Sequence, residues 1–260
     1  MISTYLASAP NRLAPHAAWP LIQLTDAVEE QQWNDRALEQ AVAIPHLALW
    51  SHQSSAIVLG VAQRPTKRML RVARSLDIQL LRRGSGGGAV LVGPHLLSAS
   101  LVVPPHHALS KGGAISAYQW FGRVHLAVLR KVGVRGTVVG DSAALSLVRD
   151  PRASVLRSHA IWSCFAGTSV GEVVAFAKGK KLVGLAQRRR RTGTLLTSGV
   201  LVADPDWLQL TQVFERTCDV ASDLQELASS CERELGREVA VNEIAEPLAY
   251  ELSKTLAMFE

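Results

Sequence analysis

No apolar run in this 260-residue chain reaches the ~18 residues a membrane span requires, and the longest candidate, Ala89 to Val103, is cut by Gly93-Pro94-His95. The first twenty residues hold no charged segment feeding an apolar core, which argues against a secretory signal. Cysteines number three, an odd and sparse count that excludes a disulfide framework and points to a reducing compartment. Charged residues make up only 19% and aromatics 5%, against 48% apolar, a balance that excludes a disordered chain. The 19 glycines and 11 prolines follow no period, and no internal repeat or long linker is visible. What remains is a globular, cytoplasmic chain of one or two domains.

The net charge of +6, from 28 Lys+Arg against 22 Asp+Glu, favours an anionic partner such as a nucleotide, an acidic protein or nucleic acid. Much of it gathers between Lys178 and Arg191. No zinc-finger, RNP-like or helix-turn-helix pattern accompanies that run, so nucleic acid is disfavoured.

Pattern reading gives strands alternating with helices. Residues 1–32 are punctuated by proline and read as an N-terminal arm. Asn34 is placed to cap a helix over Asp35 to Val42. His46 to Trp50 and Ala56 to Leu59 read as a strand pair joined by the polar turn Ser51 to Ser54. A short helix follows Pro65, with Met69, Val72, Ala73 and Leu76 on one face, and Ile78 to Leu81 reads as a strand. Ala89 to Val92 and Leu97 to Val103 read as strands parted by the Gly93-Pro94 turn. Phe121, Val124, Val128 and Val132 form one stripe of a helix over Ile115 to Val132. Val134 to Val139, Val170 to Phe176, Leu182 to Ala186 and Leu195 to Val202 are further strands. After Pro205 the chain turns helical, with a break near Gly236, so that 33–215 reads as the working domain and 216–260 as a helical tail. The expected class is α+β, or α/β-like, with a sheet flanked by helices.

Three segments carry possible chemistry. In Arg82-Arg83-Gly84-Ser85-Gly86-Gly87-Gly88-Ala89 the glycines bring backbone N–H groups toward one point, where they can cradle a phosphate or carboxylate beside two arginines; a hairpin turn is the structural alternative. The Gly-Lys-Ser/Thr ending of a Walker loop is absent. In Gly179-Lys180-Lys181-Leu182-Val183-Gly184-Leu185-Ala186, Lys181 stands at the mouth of an apolar strand, where an ammonium can stabilise developing charge in acyl transfer. Cys164, in Trp162-Ser163-Cys164-Phe165-Ala166-Gly167, precedes a glycine-containing loop; an ammonium near its sulfur would favour a nucleophilic thiolate. Cys218 and Cys231 read as small buried hydrophobes. His106 and His107 lack metal-ligand spacing, so no metal site is expected, and no Gly-x-Ser-x-Gly elbow is present.

The glycine segment 82–90, the lysine segment 179–189 and the opening Ala56 to Gln63 together resemble the signature segments of the lipoate–protein ligase and octanoyltransferase family, over roughly residues 33–215. Biotin–protein ligases resemble the chain more distantly. The resemblance implies a mostly antiparallel or mixed central sheet flanked by helices, with an acyl chain in an apolar tunnel. It implies that Arg83, Ser85, Gly86, Gly87, Gly88, Ala89, Gly184 and Ala186 line the substrate pocket, and that Lys181 meets the acyl carbonyl. The acceptor would be a lysine of a lipoyl domain or of the glycine-cleavage carrier protein, docked by Arg188, Arg189, Arg190 and Arg191.

One branch of the family activates lipoate with ATP and Mg; the other moves octanoyl or lipoyl through a cysteine thioester, with an acyl carrier protein as a donor and no cofactor. Cys164 resembles the cysteine of the second branch. Arg191-Thr192-Gly193 replaces the His-His-Gly of typical ligases, Gly171-Glu172 replaces their Asn-Asp, Leu91 to Gly93 lacks a histidine often found there, and the chain is short for a ligase accessory domain. The expectation is therefore a cysteine-dependent acyltransferase. An ATP-dependent ligase is the alternative, and a non-catalytic module that binds carriers is the second alternative.

Overall fold

The computed structural model describes residues 23–141 and 151–259. In chain order the elements begin β1 (Gln23–Thr25), α1 (Ala27–Arg36), β2 (His46–His52), β3 (Ala56–Leu59), α2 (Lys67–Ser75), β4 (Gln79–Arg82), β5 (Val90–Val92) and β6 (Leu96–Val103). There follow α3 (Ala108–Lys111), α4 (Gly113–Val132), β7 (Gly136–Val138), α5 (Pro151–Ala160), β8 (Val173–Ala175), β9 (Lys181–Arg190) and β10 (Gly193–Leu201). Four α-helices follow among the described residues, α6 (Trp207–Val213), α7 (Cys218–Leu227), α8 (Cys231–Leu235) and α9 (Val241–Leu256), and a 3-10 turn, Ala257–Phe259, comes after them.

Seven strands form the main sheet in the order β1-β2-β6-β10-β9-β8-β7, and three form a second sheet, β4-β3-β5. Only β1–β2 and β3–β4 pair in parallel; the remaining neighbours are antiparallel. All eight residues of β6 are buried, as expected for a strand covered on both faces. Leu97, Ala99 and Leu101 of β6, with Leu196 and Val200 of β10, pack toward α4 and α9, where Phe121, Val128, Leu248 and Leu252 complete the larger core. The opposite face carries Val102 and Leu195 against Leu38 and Val42 after α1, and Leu96, which faces Val58, Val90 and Val92 of the second sheet across a cleft. The gap between that face and the second sheet is where the site lies.

Helix α4 realises the apolar stripe over 115–132 and starts two residues earlier; Gly133, at φ 99°, ends it in the left-handed conformation. Gly236 likewise terminates α8. Two local readings are corrected. The helix expected over Asp35 to Val42 lies instead at Ala27–Arg36: Asp26 accepts the Glu29 N–H at 3.0 Å, Glu29 and Glu30 favour the first turn, and Asn34 is buried near the end. The pair β2 and β3 is not a hairpin, because β2 pairs with β1 and β6 while β3 pairs with β4 and β5. The Gly93-Pro94 turn likewise hands the chain from β5 in one sheet to β6 in the other. Non-local partners outweigh the turn signals at both places. The N-terminal arm lies outside the described residues as far as residue 22. Among the described residues no helix is long and apolar enough to cross a membrane.

Candidate active site

The glycine segment leaves β4 and turns back into β5. Gly87 has φ 95°, a conformation that side chains disfavour. A Cβ on Gly88 would stand 2.5 Å from the Trp162 carbonyl oxygen and 2.8 Å from the Cys164 nitrogen, so only glycine lets this loop lie on the cysteine segment. Two hydrogen bonds fasten that contact: Ala89 N donates to Trp162 O at 2.8 Å, and Cys164 N donates to Ala89 O at 2.9 Å. Arg83 acts as an internal brace. Its guanidinium donates to the carbonyls of Gly88 (2.7 Å), Gly86 (2.9 Å) and Val58 (3.2 Å), and burial pulls its pKa below the ordinary arginine value. Ser85 is buried, its carbonyl accepting the Val61 N–H at 2.9 Å.

Lys181 is 2% exposed in its side chain and faces Cys164, with Nζ 3.9 Å from Sγ. A β-bulge aims it there. Val173 pairs with Val183, but Val174 pairs with Lys181, which leaves Leu182 as an extra residue in β9. Leu182 and Val183 then both join the core beneath α4, while Lys181 and Gly184 share the other face. The ammonium donates to Cys164 O (2.7 Å) and Gly167 O (3.0 Å) and pairs with Glu172 Oε1 at 2.7 Å. Its three protons are thereby engaged, and it acts on the sulfur through charge. Burial pushes the Lys181 pKa down, but the interactions with Cys164 and Glu172 outweigh it and hold the pKa above the usual lysine value.

Glu172 is the residue that pattern reading missed. Its side chain is 4% exposed; Oε1 also accepts Leu185 N–H at 3.1 Å, and Oε2 accepts Ser169 N–H at 2.7 Å. The available signal was an acid set directly before the buried Val173-Val174, which requires a cation or several N–H donors.

Cys164 opens on a narrow cleft lined by Val58, Val92, Leu96, Phe165, Gly184 and Ala186. A Cβ on Gly184 would sit 3.4 Å from the sulfur, so that glycine borders the thiol. Glu30 also lines the cleft and is tied to the buried His52 at 2.8 Å. The four arginines divide. Arg188 pairs with Asp35 at 2.8 Å and lies against Gly84 at the glycine loop, Arg189 donates to the Ser110 carbonyl, and Arg190 and Arg191 are exposed at the β9–β10 turn. Cys231 is buried, its thiol pushed up to about 12 by burial, whereas Cys218, expected to be buried, is exposed because it opens α7 at the surface. Among the described residues no three His, Cys, Asp or Glu side chains stand together as a metal site would require.

Comparison with known proteins agrees with this architecture. Octanoyltransferase LipM of Lysinibacillus sphaericus (strain C3-41) is 26% identical over 182 residues, which cover 69% of this chain and 62% of that protein. The match thus spans less than two thirds of the relative. Two solved structures share the fold. One is the bi-partite lipoate protein ligase of Thermoplasma acidophilum, described with its E2 lipoyl domain (TM-score 0.65, 18% identity, 93% of this chain and 85% of that one). The other is lipoate-protein ligase A bound with ATP (TM-score 0.64, 19% identity, 93% and 86%). The family model of the lipoyl protein ligase A/B catalytic domain matches residues 26–253, and the chain belongs to that family.

Proposed function

We propose that this protein moves an octanoyl or lipoyl group from a thioester donor to a lysine of a lipoyl domain, by way of a thioester on Cys164. The observation that carries the proposal is the sulfur at the cleft mouth, 3.9 Å from a buried ammonium. A positive charge at that distance meets the negative charge that gathers on the sulfur as its bond to the acyl carbon forms and breaks. In the first half-reaction the Cys164 sulfur gives up its proton and attacks the donor carbonyl, a new C–S bond forms, and the donor sulfur departs and takes up that proton. In the second, the acceptor amine attacks the enzyme thioester, an amide forms, and the Cys164 sulfur leaves with the proton released by the amine. The apolar walls hold the acyl chain, and Gly184 leaves space for its carbonyl end beside the sulfur. Lys181 and Glu172 fix the sulfur's field, and the Arg83 brace fixes the glycine loop. Arg190 and Arg191 offer charge to an acidic acceptor domain, of which the glycine-cleavage carrier protein is a second example.

An ATP-dependent ligase is the second reading, favoured by the likeness in fold to an ATP-bound ligase. Nothing lies within 4 Å of the Cβ position of Gly86, so the loop backbone there is open to a phosphate. Intact-mass measurement of an apo lipoyl domain decides between them. Octanoylated acyl carrier protein without ATP should add an octanoyl mass, and Cys164→Ala should abolish it. Mass gain only with lipoate and ATP-Mg, unaffected by Cys164→Ala, would establish the ligase instead.

A further inference from the structure

Helix α2 carries a row of positive charge that its own stability does not require. It buries Met69 and Ala73, while Lys67, Arg68, Arg71 and Arg74 are exposed, with Arg64 exposed just upstream. No acid occurs between Arg64 and Leu76. Positions 67, 71 and 74 fall on one stripe, where like charges three and four residues apart repel. Cations in the first turn also oppose the helix dipole. Arg68 is paired with Glu215 at 3.3 Å and Arg64 donates to the Val61 carbonyl at 2.8 Å, but Lys67, Arg71 and Arg74 form no ion pair among the described residues.

The row starts at the rim of the site. The Gln63 side chain accepts the Gly60 N–H and donates to the Trp162 carbonyl, each at 2.9 Å, and the Val61 N–H bonds to Ser85. The segment entering α2 is thus fastened both to the glycine loop and to the segment carrying Cys164. A macromolecule lying along α2 would hold any attached thioester beside the cleft.

We infer that the exposed face of α2 is the docking surface for the acyl donor, and that the donor is an acidic protein bearing the acyl group as a thioester. The inference rests on the transfer reading above. Negative charge on the donor complements Lys67, Arg71 and Arg74, and raises its rate of productive encounter. The acceptor's arginines lie on another element, the β9–β10 turn, so donor and acceptor use separate surfaces.

The test compares two donors on the full chain: octanoylated acyl carrier protein and the small, uncharged octanoyl-pantetheine. The triple variant Lys67→Glu/Arg71→Glu/Arg74→Glu should lose about tenfold or more in kcat/KM with the protein donor, and the steep salt dependence of the wild type with it. With octanoyl-pantetheine it should match the wild type, which also shows that it is folded. Equal rates for variant and wild type with both donors would overturn the inference. If neither donor acylates the wild type, the transfer reading fails; saturable binding of unacylated carrier protein, lost in the variant, would still support the surface. Tighter binding of duplex DNA than of carrier protein, lost in the same variant, would overturn the inference in favour of nucleic acid.

Discussion

Exchange of Glu172 for glutamine should be among the most damaging isosteric changes in this fold. Both carboxylate oxygens are occupied, Oε1 by the Lys181 ammonium and Leu185 N–H, Oε2 by Ser169 N–H. An amide offers a single acceptor oxygen, so in either orientation its NH2 meets another donor. The ammonium would stay in a site where the side chain is 2% exposed, with two carbonyls and the more distant Cys164 sulfur but no carboxylate. Breaking one partner of a buried pair costs about 3–5 kcal/mol. With a urea m-value of about 3 kcal/mol/M, the unfolding midpoint should fall by about 1–2 M. Circular dichroism in urea at pH 7 measures this. The Lys181→Met/Glu172→Gln double variant should recover much of the loss, because no charge is left stranded, yet remain inactive in transfer. The pH dependence has a definite sign. A raised Lys181 pKa gives stability that is complete below the ordinary lysine value of 10.5 and is lost as pH climbs through the folded value, and in Glu172→Gln that loss should come at lower pH. A single variant whose midpoint lies within about 0.3 M of the wild type would refute the claim that this pair is a closed, mutually dependent unit.

His125 is fully buried, bonded to Ser198 Oγ at 2.8 Å and Phe121 O at 2.7 Å, and burial lowers its pKa from 6.5 to about 4. The unfolded chain takes up the proton first, so stability should be full above pH 6.5 and fall by about 3 kcal/mol toward pH 4. Urea midpoints at several pH values check this, and His125→Phe should flatten the slope. Gly88→Ala forces a Cβ into the Trp162–Cys164 backbone and should cost about 1–3 kcal/mol while slowing acylation of Cys164, read by thermal unfolding and intact mass. Cys164→Ala should leave the thermal midpoint nearly unchanged and remove the acyl-enzyme mass, because the sulfur borders the cleft rather than filling the core.

Local periodicity reveals α4, β6 and the strands around both motifs, because each buries a face whose spacing is written in consecutive residues. Cys164 and Lys181 also stand out, as a thiol beside a glycine-containing loop and a lysine at an apolar strand. Sheet membership does not. The turns at 51–54 and 93–94 have hairpin composition, but β2 and β6 find their partners far along the chain. Glu172 is visible in the sequence only as a departure from a ligase pattern, since its importance comes from a cation nine residues away that folding brings to 2.7 Å. Arg83 and Arg188 suggest ligand-facing charge on composition alone. Folding spends Arg83 on loop carbonyls and sets Arg188 between Asp35 and Gly84. A residue's type states which bonds it can make, and only the fold decides which are made internally.

The single surplus residue in β9 carries one last implication. Because side chains alternate across a pleated strand, inserting one residue between Val173 and Val174 would restore regular pairing opposite Leu182 and swing the ammonium through the sheet to the face of Val183, the greasy layer under α4. Every amino acid that touches the thiol would still be encoded, yet the charge would sit on the wrong side of a wall. The arrangement is thus more vulnerable to a shift in chain length at this point than to many changes of residue identity around it.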